Sequence, residues 1–228
     1  MQPQKERDGT MKKYTMPDIG RTDRSERAHS IRYEITDIAH EKYPFLHRIR
    51  ALQDIGSKVK AGDLGAYVEH MSNLSLEADD SAWIYDRAIA AGNAHVSYGA
   101  ELHDQAVVCG DAFVTQGAKL FGQACVEDEA YVRGAVLAGS ARASGQSMLL
   151  HDPNLGTAPR LEGCSAVYGV VAGNVRLTDG AVVLGGEELR NTTLDAWVIG
   201  KHSRTVLRNP ARDKFNLHCR RAAKQPER

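Results

Sequence analysis

The sequence lacks any long apolar run. Of its 228 residues 42% are hydrophobic, but no stretch of them is long enough for a membrane span, and the first residues do not include the apolar core of a signal peptide. These absences argue against a membrane-spanning helix and a secretory leader. We therefore expect a cytoplasmic protein without a membrane partner.

Cysteine and histidine patterns that bind metals are also missing. The four cysteines are too few and too scattered for a disulfide framework, and none form the close pair of a zinc knuckle. A zinc site of three histidines would need two of them close together, which none of the nine histidines provides. The sequence predicts no metal site and no cofactor.

The chain has no net charge, because 29 Lys and Arg balance 29 Asp and Glu, but the charges are unevenly distributed. Residues 1–32 carry eight basic and five acidic side chains, and residues 201–228 carry nine and two. The body between them has a net charge of −10. The basic C-terminal segment is thus the one part that indicates binding driven by charge.

An alanine at every sixth position organises the chain. Nine alanines follow this period from Ala82 to Ala130, and eight of the nine residues two positions later are branched aliphatics. Residues i and i+2 of a strand share a face, so each repeat predicts a short strand with one small and one large inward side chain. Glycine or aspartate follows most strands, as at Gly110 and Asp104, where we expect a turn with positive φ.

Three such repeats close one triangular coil, and successive coils pair their backbones. The sequence thus predicts an all-β fold, a single-stranded left-handed parallel β-helix of hexapeptide repeats. A helical alternative fails, because apolar residues at i, i+2, i+6 and i+8 do not follow a period of 3.6. This register predicts that Leu102 and Val114 are buried and that Glu101 and Thr115 are exposed.

Several stretches resemble a known family. Residues 86–97 (DRAIAAGNAHVS) and 110–115 (GDAFVT) are similar to the repeats of YdcK-like left-handed β-helix proteins of bacteria and phages, and residues 48–69 and 73–86 resemble that family's N-terminal segment. The family belongs with trimeric, LpxA-like hexapeptide-repeat proteins, among them acyltransferases. The resemblance implies a homotrimer. It favours a non-enzymatic scaffold or binding protein, related to phages or mobile elements, that engages another macromolecule.

The chain divides into four parts. Residues 1–29 are polar and aperiodic, which predicts a disordered tail, and residues 30–79 alternate in a way that predicts a β cap on the open end of the helix. Residues 80–200 form the β-helix, with a one-residue slip after Arg133 and a loop at residues 147–163. Residues 201–228 form a basic tail, with a helix predicted from residue 211 onwards.

Outward residues that are three repeats apart should stack in columns on three faces. An apolar column of Ile89, Val107 and Cys125 lies beside one that contains Cys109. Exposed apolar surfaces usually mark contacts, so we expect this face to join the subunits of the homotrimer. Cover by the protein's own cap or tail is the alternative.

A second face carries a column of Tyr85, His103 and Phe121. Such a column could stack a base or a sugar, although stacked aromatic side chains on a sheet more often stabilise the sheet itself.

The alternative function is that of an acyltransferase-like enzyme, which the resemblance implies would use a histidine base at a subunit interface. The candidates are His95, His103 and His151, and Asp152 could orient His151 as a base or only form a turn. The repeats lack the glycine that acyltransferases favour after the aliphatic residue. This absence weakens the enzyme hypothesis.

The basic tail could dock on the acidic body or bind a nucleic acid or another polyanion. We favour docking, because Phe215, Leu217 and Cys219 provide apolar anchors.

Deletion of residues 209–228 should therefore lower the melting temperature measured by circular dichroism. An unchanged melting temperature, combined with loss of a salt-sensitive gel shift with DNA or RNA, would contradict docking.

Overall fold

The structure, a computed structural model, describes residues 31–210. These residues form an all-β parallel solenoid of about seven turns, and they contain no helix long and apolar enough to cross a bilayer. The predicted disordered tail at residues 1–29 and the helix predicted from residue 211 lie outside the described residues.

The solenoid has three sheets, to which the coils contribute strands in turn. Sheet 1 consists of β1 (Tyr33–Ala39), β2 (His47–Ala51), β3 (Leu64–Val68), β5 (Ile89–Ala90), β8 (Val107–Val108), β11 (Cys125–Val126), β14 (Arg142–Ala143), β17 (Ala166–Val167) and β20 (Val182–Val183). Sheet 2 consists of β4 (Trp83–Ile84), β7 (Glu101–Leu102), β10 (Lys119–Leu120), β13 (Val136–Leu137), β16 (Arg160–Leu161), β19 (Val175–Leu177), β22 (Ala196–Ile199) and β23 (Arg204–Leu207). Sheet 3 consists of β6 (His95–Val96), β9 (Phe113–Thr115), β12 (Tyr131–Arg133), β15 (Met148–Leu150), β18 (Val170–Gly173) and β21 (Glu188–Asn191).

The pairing of strands confirms the predicted parallel stacking of coils. In sheet 2, Trp83 pairs with Glu101 and Glu101 with Lys119, and each partner lies three repeats further along the chain. Lys119 then pairs with Val136, which is one residue short of three full repeats. The slip of register predicted after Arg133 is therefore confirmed, and the shortened coil still stacks in parallel.

The interior of the coils is packed by the predicted inward residues. All nine alanines from Ala82 to Ala130 are fully buried, as are Leu102 and Val114. Alternate residues of a strand point to opposite faces, so the small and large inward side chains of each repeat fill the interior together.

Two predicted exposures are wrong. Thr115 is only 7% exposed, because it lies between Arg133, with which it pairs in the next coil, and Ser97, whose hydroxyl is 3.4 Å from its own. The Glu101 side chain is 14% exposed, because Lys58 from the cap lies over it and bonds its carboxylate. Neither error changes the register, since both side chains still lie outside the packed interior.

The corners of the coils have the predicted backbone. Asp104 has a φ of 57° and Gly110 a φ of 74°. A Cβ atom at Gly110 would lie 2.8 Å from the backbone nitrogen of Asp128 in the next coil, so only glycine fits there. The carboxylate of Asp86 accepts the amide of Asp104, and that of Asp104 accepts the amide of Gly122, which links successive corners.

The predicted N-terminal cap is present as the antiparallel strands β1, β2 and β3, and β3 continues sheet 1 by pairing in parallel with β5. Arg32 is fully buried, and its guanidinium group donates hydrogen bonds to the carbonyls of Asp80 and Ala82. The Tyr33 ring packs edge-on against Trp83, with ring centroids 6.3 Å apart. These contacts close the first coil, where backbone groups would otherwise lack partners.

The loop predicted at residues 147–163 is shorter than expected. Its first part is β15 and its last part includes β16, and Leu149 and Leu161 are fully buried. Only residues 151–159 leave the coil between these strands. At the other end, β22 pairs with β23 in an antiparallel hairpin, so residues 204–207 of the predicted tail belong to the last turn of the fold.

The buried triangle predicts the effect of Val114→Asp. Val114 is fully buried and pairs with Val96 and Val132 in the coils on either side. An unpaired carboxylate there should cost about 3–5 kcal/mol, which urea denaturation would detect. Phe113→Asp, at the adjacent outward position that is 47% exposed, is the control and should change stability much less. Equal stability of the two variants would contradict the inward assignment.

Candidate functional site

The outward surface of sheet 1 carries an apolar patch over its first three coils. Ile89, Val107 and Cys125 pair in register along the sheet and are half-buried. Cys109 is also half-buried and lies in the neighbouring column. The cap extends sheet 1 at its first coil, where Tyr67 of β3 pairs with Ile89 of β5. The structure thus brings together all four residues predicted for the subunit interface.

The environment of the two thiols in this patch disfavours their reactive thiolate form. Burial, assisted by nearby carboxylates, raises the pKa of Cys109, and burial with Glu127 as the next largest influence raises the pKa of Cys125 to about 12. Both raised pKa values favour the neutral thiol at physiological pH over the thiolate that nucleophilic chemistry needs. Neutral cysteine behaves as a small apolar side chain, so the patch remains apolar throughout.

Polar contacts border the patch on two sides. The Glu127 carboxylate accepts hydrogen bonds from Arg142 at 2.9 Å and from Ser144 at 2.8 Å. On the cap side, the Arg48 guanidinium group lies 5.8 Å from the centre of the Tyr67 ring. An apolar centre with a polar rim is the usual anatomy of a protein interface.

The predicted aromatic column on sheet 2 is formed, and its rings stack on one another. The centroids of Tyr85 and His103 are 4.5 Å apart, and those of His103 and Phe121 are 4.8 Å apart, with the planes within 12° of parallel. Both faces of the His103 ring are therefore covered by its neighbours. A base or sugar needs an open ring face, so the geometry favours the hypothesis that the column stabilises the sheet.

A charged network joins the cap to this column. Glu101 accepts hydrogen bonds from Lys58 at 2.8 Å and from Lys119 at 3.1 Å, and it lies 3.1 Å from Nε2 of His103. Burial alone would raise the pKa of the Glu101 carboxyl, but the bonds from Lys58, His103 and Lys119 outweigh it and lower the pKa to about 2. Glu101 is therefore ionised at physiological pH and holds the cap against sheet 2.

The three candidate histidines do not meet in one site. His103 is held in the stack and beside Glu101, and Nδ1 of His95 lies 2.7 Å from the carbonyl oxygen of Ser72. His151 lies in the loop after β15, and its ring packs against Gly134. Nδ1 of His151 is buried without a hydrogen-bond partner among the described residues.

The side chain of Asp152 forms hydrogen bonds within its own loop. Its carboxylate accepts hydrogen bonds from the amides of Asn154 at 2.9 Å and of Leu155 at 3.4 Å, which form the turn expected as the alternative to orienting His151. Two backbone hydrogen bonds between Asp152 and Thr157 close the loop on itself. No hydrogen bond between His151 and Asp152 occurs in the described part of the chain. The pair therefore lacks the contact by which a carboxylate orients a catalytic base.

His151 nevertheless lines a cavity of about 210 Å³ beside sheet 3. The same cavity is lined by two arginines whose proximity the sequence does not predict, Arg133 of β12 and Arg190 of β21. Ala172 and Gly173 of β18 lie between these strands and leave the space open. Arg133 could have been noticed as an outward cation, but its distance from Arg190 depends on coils of irregular length.

Two wider depressions lie near the cap, one of about 470 Å³ beside Asp79 and Asp80 and one of about 320 Å³ beside His95. Asp80 uses its carboxylate to accept the amides of Tyr98, Gly99 and Ala82, so it is a structural group. The described residues contain no cluster of three metal-binding side chains.

Comparison with known proteins does not assign the chain to a family. No family model matches the sequence, and no curated protein is significantly similar to it.

The Glu101 network predicts a stability that depends on pH. Because the pKa of Glu101 is lowered from its ordinary 4.5 to about 2, its stabilising effect should be complete above pH 4.5 and should disappear as the pH falls towards 2. Glu101→Gln should lower the free energy of unfolding by about 1–2 kcal/mol at pH 7. The difference from the unmodified protein should shrink between pH 4.5 and 2 in urea titrations.

Glu129→Gln is the control for the loss of one negative charge, because Glu129 is exposed and, within the described residues, its carboxylate accepts a hydrogen bond from the Gln146 side chain alone. A destabilisation by Glu101→Gln that is as large at pH 3 as at pH 7 would contradict the role of the ionised carboxylate.

Proposed function

We propose that the protein is a non-enzymatic homotrimeric scaffold, in which three solenoids assemble through sheet 1 and keep sheets 2 and 3 available to another macromolecule. The observation that carries this proposal is the apolar patch of Ile89, Val107, Cys125 and Cys109 with its polar rim. The resemblance of the repeats to YdcK-like, trimeric hexapeptide-repeat proteins also supports it.

A second copy of the chain is a suitable occupant because of the geometry of the patch. Its residues form straight columns that run from coil to coil, with a spacing of about 4.8 Å set by strand pairing. Another copy has columns with the same spacing and direction, so parallel solenoids can match them residue by residue. Closed symmetric assembly of identical chains is the commonest kind of oligomer.

Further apolar side chains occupy the same face beyond the Glu127–Arg142 pair. Tyr168, Val182 and Leu184 are 43%, 52% and 58% exposed. Tyr168 and Leu184 directly follow the paired strands β17 and β20, so they extend the columns of sheet 1. An assembly along the whole sheet would cover both apolar regions with one interface, which is favourable for large exposed apolar side chains.

A non-enzymatic role is favoured by how the candidate groups are used. His103 stacks between two rings, Asp152 caps its own loop, and the thiol of Cys125 is protonated. The acyltransferase-like alternative requires a base that is free to take a proton from the acceptor, and it depends on the family resemblance alone. His151, the candidate base in the loop, lines the cavity beside sheet 3, and its Nδ1 has no hydrogen-bond partner among the described residues that would orient it as a base.

Substitution at the centre of the patch tests the assembly. Multi-angle light scattering of the unmodified protein should give the mass of three chains. Val107→Lys should reduce it threefold to that of one chain, because three ammonium groups would meet in an apolar contact. Circular dichroism should show that the variant remains folded.

Val170→Lys is the matched control, because Val170 is also an outward, half-buried strand residue but lies on sheet 3 beside Glu188. It should remain a trimer. A single-chain mass for the unmodified protein, or equal dissociation of both variants, would refute assembly through sheet 1.

A further inference from the structure

The cavity beside sheet 3 combines a small open space with two cations. In one outward column, Arg133 is followed by Leu150, Ala172 and Arg190 in four successive paired strands. The small side chain of Ala172 leaves a gap between the two arginines, and the loop residues His151 and Asp152 complete its wall. The insertion of residues 151–159 therefore turns a plain sheet surface into a walled site.

Arg133 has an incomplete set of partners. Its Nε atom is buried without a hydrogen bond in the described structure, and one terminal nitrogen donates a long bond of 3.4 Å to the carbonyl of His151. A half-buried guanidinium group in this state is unusual, since buried polar atoms nearly always find a partner. Its five donors are arranged to bind an oxyanion at two points.

The other charged groups of the cavity do not neutralise Arg133. Arg190 forms an ion pair with Glu188, its neighbour on the same strand. The Asp152 carboxylate is bound by the amides of Asn154 and Leu155. Arg133 has no ion pair within residues 31–210, so no carboxylate of the described structure contacts its guanidinium group.

We propose that this cavity binds a small oxyanion, a phosphate or a carboxylate group, through the guanidinium fork of Arg133 with Arg190 as the second cation. A volume of about 210 Å³ equals that of roughly seven liquid water molecules, which suits such a group and a few attached atoms. It is smaller than the sites of drug-sized ligands. The site uses sheet 3 and the loop after β15, and it does not depend on assembly through sheet 1.

Isothermal titration calorimetry of the full chain with inorganic phosphate and with acetate, each at constant ionic strength set with chloride, tests the proposal. At least one of the two anions should bind saturably. Arg133→Gln should weaken that binding about tenfold or more, because it removes a charge-assisted, two-point contact, and Arg190→Gln should weaken it several-fold. Tighter binding of phosphate or of acetate distinguishes the two kinds of oxyanion.

Arg160→Gln is the matched control, because Arg160 is an exposed outward cation on sheet 2 beyond the same loop and does not line the cavity. It should leave the affinity unchanged. Absence of saturable binding of both anions would overturn the proposal, as would equal weakening by Arg133→Gln and Arg160→Gln, which would indicate only general screening. Should Arg133→Gln fail to fold, unchanged affinity in Arg190→Gln would overturn it.

Discussion

Every coil of this protein depends on backbone hydrogen bonds to the coils before and after it. The amide of Glu101 donates a hydrogen bond to the carbonyl of Ala118, and the amide of Trp83 donates one to the carbonyl of Ala100. Each strand thus supplies hydrogen-bond partners to the backbone of its neighbour. A strand of two or three residues has no stability of its own. The first and last coils consequently need other partners, which the cap with Arg32 and the hairpin of β22 and β23 provide.

This dependence explains which features could be predicted from the sequence. Inward positions and corners obey strict local rules, so the buried alanines, the positive φ of Asp104 and the one-residue slip follow from spacing alone. The loop bounds were too wide because Leu149 and Leu161, both fully buried, lie in strands that the glycines and prolines around them obscured. Glu101 was expected to be exposed because periodicity does not reveal that Lys58 of the cap lies over it.

The candidate sites were predictable only where the period is constant. Ile89, Val107 and Cys125 follow one another at intervals of three full repeats, so their column could be read directly. The column of Arg133 passes through Leu150 and Ala172 to Arg190 in steps of unequal length, which no fixed period anticipates. The three faces of the solenoid thus differ: sheet 1 carries the apolar patch, sheet 2 carries the aromatic column and the contact with Lys58 of the cap, and sheet 3 borders the cavity of Arg133 and Arg190.

The loop at residues 151–159 is closed by its own pair of backbone hydrogen bonds, between Asp152 and Thr157. The strands on either side, β15 and β16, keep their full pairing with the neighbouring coils. The segment between Asp152 and Thr157 thus contributes no strand pairing to the coils of the solenoid. Evolution can therefore change the length and composition of this segment, and a designer can replace it with another peptide, while the coils beneath it still fold.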